Sequence, residues 1–584
     1  MKENKTNSVL LKILLIIIAA GSFLAAIKCI FVGLQIYEEY ALTLSYRLIR
    51  GDRLLTEVWD PHQTSAFLLS LIEWIWIKTT GSNVYLILWC RAVTTVIHAA
   101  VCFYLYKTIR LFADRVNSFL IAVSVFAILP KDFIIPEFSL MMSWFMLLII
   151  IALIRLRHYK RDKTDFRNIA LSVLLGLSCV ALTLSYPSCI IIVPAVLIYV
   201  IINRKNYSKA VHVIFIVTMA VVGIAYFAYL FSYMTPSEML QNIKDALQAC
   251  GSHDQGMFER VGVVGKDLLV FAAISLGVAV ISIIFMLITG AFKRNKRAAE
   301  EEDGKIPFAI SLIAYMGMVS MVLQIGFVLL KPISTTYGYE NHFFFMIFIL
   351  AALMALFYKG SVKNSDFSFA LLLSLLGFIA IMVITNMNSF RSIKYLTGGM
   401  AISLLIIACI SAKQNNIRIK KLATAFMIVT ALCLTIYKGI FYSGNGTDDW
   451  NITDIGYIVK NGAARGVVTE YMTGYIYDYS SNTDCIKDGD TVLIWDLSTS
   501  GYFIKDVNIG SFTTISTPTY YMDSLQKYWD RNPDKYPDVI AVAVWFGDNY
   551  RVQDYDHFLD WIENEYNADE VVEENYYRYY IRRR

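Results

Sequence analysis

Apolar stretches long enough to form helices alternate with polar segments along most of this chain. A helix needs about 20 mostly apolar residues to span a hydrocarbon core of roughly 30 Å. The pattern predicts a polytopic, all-α membrane region followed by a different region after residue 441. We predict thirteen transmembrane helices, at residues 8–33, 84–106, 117–130, 138–156, 168–185, 187–202, 209–233, 266–291, 306–330, 342–358, 367–386, 396–411 and 421–441.

The charges of the polar segments alternate as well. Segments that follow the even-numbered spans are rich in Lys and Arg, for example Arg155 to Lys163, whereas the others hold most of the carboxylates. Cytoplasmic loops of membrane proteins carry an excess of Lys and Arg. The alternation therefore predicts an integral plasma (cell) membrane protein with a cytoplasmic N-terminus and an extracytoplasmic C-terminal region.

Thirteen spans agree with the alternation of charge only if residues 66–77 do not cross the membrane. This segment is apolar but short, and it carries Glu73. Its Trp74 and Trp76 favour a helix lying at the membrane interface. The first outer loop then covers residues 34–83. In the second, residues 234–265, helical spacing of apolar residues predicts an amphipathic helix on the bilayer surface; these are Met239, Leu240, Ile243, Ala246 and Leu247.

The last part of the chain, residues 442–584, is called the tail below and differs from residues 1–441 in pattern. Residues 491–497 and 539–545 are typical of buried strands, and residues 519–531 and 555–566 of helices. The tail is therefore predicted to be a soluble α/β domain outside the membrane. It has no Gly-rich phosphate loop after either strand, which argues against nucleotide binding.

Composition narrows the class of protein further. Of the 584 residues, 57% are hydrophobic and 17% are charged, which fits a membrane protein rather than a soluble one. The basic residues are explained as topology signals, and the tail is acidic, so nucleic-acid binding is not expected. Of nine Cys, only Cys250 and Cys485 lie in outer segments, and a disulfide between them is left open. No cofactor is predicted, and a divalent metal is left open.

Side chains that could act in catalysis are most concentrated at the start of the first outer loop. Glu38 and Glu39 follow the first span directly. Adjacent carboxylates point to different sides of a helix, so the two need not do the same job. A partly desolvated carboxylate at the interface has a raised pKa and can act as a general base. The alternative is an interfacial charge pair that ends the helix.

The residues that follow carry a family resemblance. The chain continues from Glu38-Glu39-Tyr40 through a helix stopped by Gly51 to Trp59-Asp60-Pro61-His62. This order resembles the membrane glycosyltransferases of the GT-C fold, which include the protein O-mannosyltransferases and the lipid A aminoarabinose transferases. The chain departs from that family in having Glu where Asp is usual, and Asp-Pro-His-Gln where a Pro-Pro pair is common.

The resemblance implies a fold and an activity. GT-C enzymes have about eleven to thirteen spans, a large first outer loop and often an outer C-terminal domain. The implied reaction is inverting transfer of a sugar from a polyprenyl-phosphate donor to an outer acceptor. Glu38 or Glu39 is the implied base, and Glu39 is favoured because it stands next to Tyr40. The loop 130–137 is implied to supply a second acidic residue of the site, with Asp132 and Glu137 as the candidates. The alternative is a solvated turn between two helices. The compact pair Asp60 and His62 is expected to contact substrate.

A basic segment before span twelve is the candidate phosphate site. Arg391, Lys394 and Tyr395 resemble the Lys/Arg–Tyr segment of the family, although Thr397-Gly398-Gly399 replaces its prolines. Two cations at outer headgroup depth can bind the phosphate of a lipid-linked donor. The alternative is that both side chains reach the lipid headgroups without a catalytic role.

Two other classes of function remain open. A transporter or lipid-linked-sugar flippase usually shows sequence repeats and ionisable residues near mid-bilayer. This chain has no repeat, and Arg91 and Glu73 are the notable charges near spans. A scaffold or receptor that binds through the tail is the third class. The expected partners are a polyprenyl-phosphate sugar and membrane lipid, with an acceptor that the sequence does not identify.

Overall fold

The structure is a computed structural model of the whole chain. The structure describes residues 2–128, 134–159, 165–250, 257–290, 293, 305–330, 340–357, 364–384, 396–443, 449–480, 483–495, 499–514, 522–544, 556–574 and 576–583. Within them the chain is mostly helical up to residue 440, and a small sheet follows.

Helices occupy the positions that the apolar pattern predicts. Their bounds are α1 Lys2–Phe31, α2 Ile36–Arg50, α3 Ala66–Thr80, α4 Leu86–Ile109, α5 Arg115–Ile128, α6 Phe138–His158, α7 Phe166–Ser185, α8 Ile192–Ile202, α9 Lys209–Phe231, α10 Pro236–Cys250, α11 Met257–Ile288, α12 Lys305–Leu330, α13 Glu340–Phe357, α14 Asn364–Ile384, α15 Thr397–Lys413 and α16 Ile417–Ile440. Each of the thirteen predicted spans overlaps one of them, with bounds that differ by a few residues.

Seven helices in the described parts of the chain are long and apolar enough to cross a membrane. They lie in α1, α4, α6, α7, α9, α11 and α16, and several shorter apolar helices accompany them. The protein is therefore a multi-pass membrane protein, whereas the count of thirteen crossings stays a prediction. Helix α3 has 15 residues and is not among the seven, which agrees with an interfacial position.

Burial separates the central helix from the peripheral ones. In α6, 83% of the spanning window is buried, whereas in α9 and α11 only 11% is. Apolar side chains that face lipid carry no hydrophobic penalty, so α9 and α11 leave Ile224 and Leu276 largely exposed. Helix α6 packs most extensively on α7 and also contacts α4, α14 and α15.

The tail contains a mixed five-stranded sheet. Its strands are β5 Thr491–Trp495, β6 Asn508–Ile509, β7 Val539–Ala543, β8 Glu570–Glu574 and β9 Tyr577–Ile581, in the order β6-β5-β7-β9-β8. Two short hairpins precede the sheet, made by β1 Phe441–Ser443, β2 Asp449–Asn451, β3 Tyr457–Ile458 and β4 Val468–Thr469. Helices α17 Tyr471–Ser480, α18 Met522–Arg531 and α19 Asp556–Asn564 complete it. The two predicted strands and two predicted helices are all present.

The tail packs directly on the first loop, residues 34–83. Trp59 of that loop lies in the same buried cluster as Phe512 and Tyr528 of the tail. Arg47 of α2 pairs with Asp52 at 2.7 Å and donates to the Ser511 carbonyl at 2.7 Å. A buried guanidinium needs such partners because an unpaired buried charge is costly. These contacts fix the position of the tail relative to α2.

Helix α10 is the amphipathic helix predicted for the second outer loop, but part of its apolar face has another partner. Ala246 and Ala249 are buried against the tail, and Asp245 pairs at 2.5 Å with both Lys527 and Arg531. Leu240 and Leu247 stay exposed. The helix is therefore in contact with the tail through part of this face, which the sequence did not predict. Cys485, one of the two outer Cys, is a free thiol.

Candidate functional site

Helix α2 carries the acidic pair. It begins after Gln35 and ends at Gly51, whose φ of 99° lies in the left-handed region that favours glycine. The predicted stop at Gly51 is therefore confirmed. The first turn holds Glu38 and Glu39, where a carboxylate is stabilised by the positive end of the helix dipole. Both side chains are almost fully buried, with 1% and 4% exposure.

Glu38 lies on the face of α2 that meets α4. Both of its oxygens accept from Arg91, at 2.8 Å from Nε and 2.5 Å from a terminal nitrogen. The same guanidinium donates to the Ile30 and Gly33 carbonyls at 3.1 and 2.7 Å. Arg91 therefore binds Glu38 in a bidentate pair and also satisfies carbonyls at the C-terminal end of α1. A carboxylate held this way is poorly suited to accept a substrate proton.

A second acidic side chain lies further along the same face of α2. Glu73 of α3 is fully buried, and its Oε1 is 2.5 Å from the Ser45 hydroxyl. That hydroxyl has a single proton and also contacts the Ala41 and Leu42 carbonyls at 2.9 Å. Burial raises the pKa of Glu73 well above its ordinary value. A protonated Glu73 satisfies both contacts, because it donates to Ser45 while Ser45 donates to the main chain.

This state of Glu73 predicts how stability depends on pH. Its pKa is higher in the folded than in the unfolded protein, so the stabilisation is complete below about 4.3 and is lost as pH rises towards the folded pKa. We expect Glu73→Gln, which cannot ionise, to weaken the fall of Tm with rising pH. The measurement is thermal unfolding in detergent at several pH values. The exposed Glu563→Gln is the matched control; identical slopes in wild type and Glu73→Gln would contradict the protonated state.

Glu39 lies on the other face of α2, which meets the tail. The Thr43 hydroxyl donates to the Glu39 carbonyl at 2.8 Å and lies 2.9 Å from the Thr499 hydroxyl of the tail. Burial raises the pKa of Tyr477 of the tail, and the charge of Glu39 raises it further. The two carboxylates thus lie on different faces of the helix.

Asp60 and His62 lie at the far end of the first loop. Asp60 is fully buried and accepts from the His62 main-chain N–H at 2.8 Å and from the Thr513 hydroxyl at 2.9 Å. The His62 ring stacks on Phe138 with centroids 4.0 Å apart and contacts Tyr186. Burial lowers the pKa of His62, which keeps the imidazole neutral at neutral pH. Asp60 therefore holds the turn together, and the neutral ring of His62 remains a candidate for substrate contact.

Four of the predicted site residues lie outside the described parts of the chain, namely Asp132, Arg391, Lys394 and Tyr395. Glu137, the other acidic candidate in the loop 130–137, is described and caps α6 by accepting from the Ser139 and Leu140 main-chain N–H groups. Its role is thus that of an N-cap. Among the described residues, no three His, Cys, Asp or Glu side chains form a group that could hold a metal ion.

The contacts of α2 with Arg91, Tyr477 and Thr499 were not predicted from the sequence. Arg91 carries a signal, since an ionised residue near an apolar span usually has a specific partner. Its partner, Glu38, lies 53 residues earlier. Tyr477 and Thr499 carry no such signal, because nothing in the local sequence of the tail points to α2.

Comparison with known proteins finds a likeness among solved structures. No protein-family model matches the chain, and no curated protein matches it. The chain is similar to the crystal structure of ArnT from Cupriavidus metallidurans in the apo state, over 99% of this chain and 98% of that chain, with 10% identity and a TM-score of 0.38. ArnT is a lipid A aminoarabinose transferase of the GT-C fold, the group that the sequence resembles. A likeness this distant carries no argument about substrate or mechanism.

Proposed function

We propose that this protein is an inverting membrane glycosyltransferase that takes a sugar from a polyprenyl-phosphate donor and passes it to an extracytoplasmic acceptor. The proposal is supported mainly by the different surroundings of the two carboxylates on α2. Arg91 binds both oxygens of Glu38, whereas Glu39 faces the tail on the opposite side. One carboxylate is thus fixed in a structural pair with Arg91, and we assign the proton transfer to the other.

The reaction requires a base and a leaving group. In the proposal, the Glu39 carboxylate takes the proton from an acceptor hydroxyl as its oxygen attacks the anomeric carbon of the sugar. The bond from that carbon to the donor phosphate breaks, and the electron pair leaves with the polyprenyl phosphate. A single displacement of this kind inverts the anomeric centre. Position at the membrane surface suits a donor whose polyprenyl chain stays in the bilayer.

Negative charge develops on the phosphate as the bond breaks. In the proposal, Arg391 and Lys394 stabilise that charge, and Tyr395 lies beside them in sequence. Asp132 is the proposed second acidic group, and Asp60 and His62 border the substrate. The donor, membrane lipid and an acceptor hydroxyl are the proposed partners, with the first loop and the tail on the extracytoplasmic side.

The candidate phosphate site, made of Arg391 and Lys394, can be tested by mutation. We expect Arg391→Ala and Lys394→Ala each to reduce kcat/KM for the donor by roughly 10- to 100-fold, because a hydrogen bond to a charged group contributes about 1.5–3 kcal/mol. The measurement is initial rate against donor concentration. Arg418→Ala is the matched control, an exposed cation after α15. Unchanged donor kinetics in both variants would leave these residues as lipid-facing cations only.

The competing hypothesis is that the protein is a flippase for lipid-linked sugars. One experiment distinguishes a flippase from a transferase. The protein is reconstituted in vesicles that contain a polyprenyl-phosphate sugar with a labelled sugar, and an envelope extract supplies the acceptor. A transferase separates the label from the lipid. A flippase moves the label across the bilayer while it stays attached to the lipid, and that result would refute the proposal.

A further inference from the structure

The tail is fastened to the chain on both sides of α2. The Gly33 N–H, just before α2, donates to the Val468 carbonyl of β4 at 2.9 Å. The Ile87 N–H, in the first turn of α4, donates to the Ala463 carbonyl at 3.1 Å. These two main-chain bonds place the β3–β4 hairpin beside the acidic pair. The tail is therefore in a position to act on α2 directly.

The first contact between the tail and the base runs through two hydroxyl groups. Thr43 and Thr499 are buried, with 0% and 2% exposure, and their hydroxyl oxygens are 2.9 Å apart. Each hydroxyl has one proton. The Thr43 hydroxyl donates to the Thr499 hydroxyl, and the Glu39 carbonyl, 2.8 Å from the Thr43 oxygen, is a second acceptor for the same proton. The tail thus binds α2 at Thr43, one turn after Glu39.

The second contact is Tyr477 of α17. Its ring packs in one buried cluster with Ala41 and Leu42 of α2. The hydroxyl oxygen accepts from the Ala464 main-chain N–H at 3.2 Å, which fixes where that oxygen lies. The phenol ring therefore packs on the turn of α2 that follows Glu39.

We propose that the tail is a positioning part of the catalytic site, in which Thr499 holds α2 through Thr43 and Tyr477 packs on the turn that follows Glu39. This inference rests on the proposed function, with Glu39 as the base. Neither residue touches the reacting atoms. Their effect is to fix the carboxylate where it meets the acceptor hydroxyl, which a free loop at the membrane surface cannot do.

The test uses four variants of the full chain. Thr499→Val removes the hydroxyl and Thr499→Ser keeps it, whereas Tyr477→Phe removes the phenol oxygen and keeps the ring. Tyr46→Phe is the matched control, because the Tyr46 hydroxyl also binds the tail, at Asp506 and 3.2 Å, but not near Glu39. Two readouts are measured, namely the kcat and KM of sugar transfer and the hydrogen–deuterium exchange of residues 36–50.

We expect Thr499→Val and Tyr477→Phe to lower kcat by about 10- to 100-fold, the scale on which small displacements of a catalytic group act, with KM changed less than about twofold. Both should also speed amide exchange in the first turn of α2. Thr499→Ser should restore kcat, and Tyr46→Phe should resemble wild type.

The inference is overturned if Thr499→Val and Tyr477→Phe keep wild-type kcat and exchange, or if Tyr46→Phe has the same effect as they do. Failure of the proposed function looks different. In that case wild type transfers no sugar, while the exchange of residues 36–50 still shows whether Thr499 and Tyr477 hold α2.

Discussion

Glu39→Gln is expected to abolish sugar transfer while the protein still inserts and folds. The amide keeps the size of the side chain and its hydrogen-bonding capacity, but it cannot accept a proton at neutral pH. Loss of a general base costs about 10²–10⁴-fold in rate, far more than loss of a surface charge. The measurement is the turnover of purified variant and wild type, with Tm and elution volume compared to show that the fold is kept.

Glu38→Gln is the matched control, because it makes the same chemical change one residue earlier. We expect it to lower Tm first, since it leaves Arg91 buried beside a neutral amide. Molecules that stay folded should keep transfer within the range that the lost stability explains. If Glu39→Gln keeps near-normal transfer instead, the base lies elsewhere, with Asp132 as the next candidate and Asp60 after it.

Arg91→Ala is expected to destabilise the protein strongly. It leaves the Glu38 carboxylate buried at 1% exposure without its bidentate partner. Removing one member of a buried pair costs about 3–5 kcal/mol, whereas replacing both members by apolar residues is often neutral. We therefore expect a much lower Tm for Arg91→Ala and a largely restored Tm for the double variant Glu38→Leu with Arg91→Met.

The double variant also tests the roles of the two carboxylates. If it folds and transfers sugar, Glu38 is not the base, which is the result we expect. A double variant as unstable as Arg91→Ala would contradict the account of this pair as mainly electrostatic. A stable double variant without activity would return Glu38 to the list of candidate bases.

Local patterns predicted the elements that build this site. Apolar runs located the helices, because burial in lipid or in a helical core needs a continuous apolar segment. Gly51 located the end of α2, since its left-handed conformation is unfavourable for other residues. The two most apolar segments of the tail became the adjacent strands β5 and β7, both buried along their whole length.

Contacts between distant parts of the chain could not be predicted in the same way. That adjacent carboxylates face different sides of a helix follows from its geometry, but what each one faces does not. The pairing of Glu38 with Arg91 depends on the packing of α2 against α4. The contact of Thr43 with Thr499 spans 456 residues and depends on how the tail docks. For the same reason the helical period of α10 predicted its apolar face but not that the tail covers part of it.

The most direct test is to incubate the purified protein in detergent with a panel of polyprenyl-phosphate sugars and with an envelope extract as the source of acceptor. The polyprenyl phosphate released is then measured by mass spectrometry. Detergent removes the two compartments, so movement of lipid across a bilayer cannot contribute. We expect wild type to release polyprenyl phosphate from at least one donor, and the sugar to be recovered on an acceptor in inverted configuration. We expect Glu39→Gln to release no polyprenyl phosphate. No release from any donor, or equal release by wild type and Glu39→Gln, would contradict it.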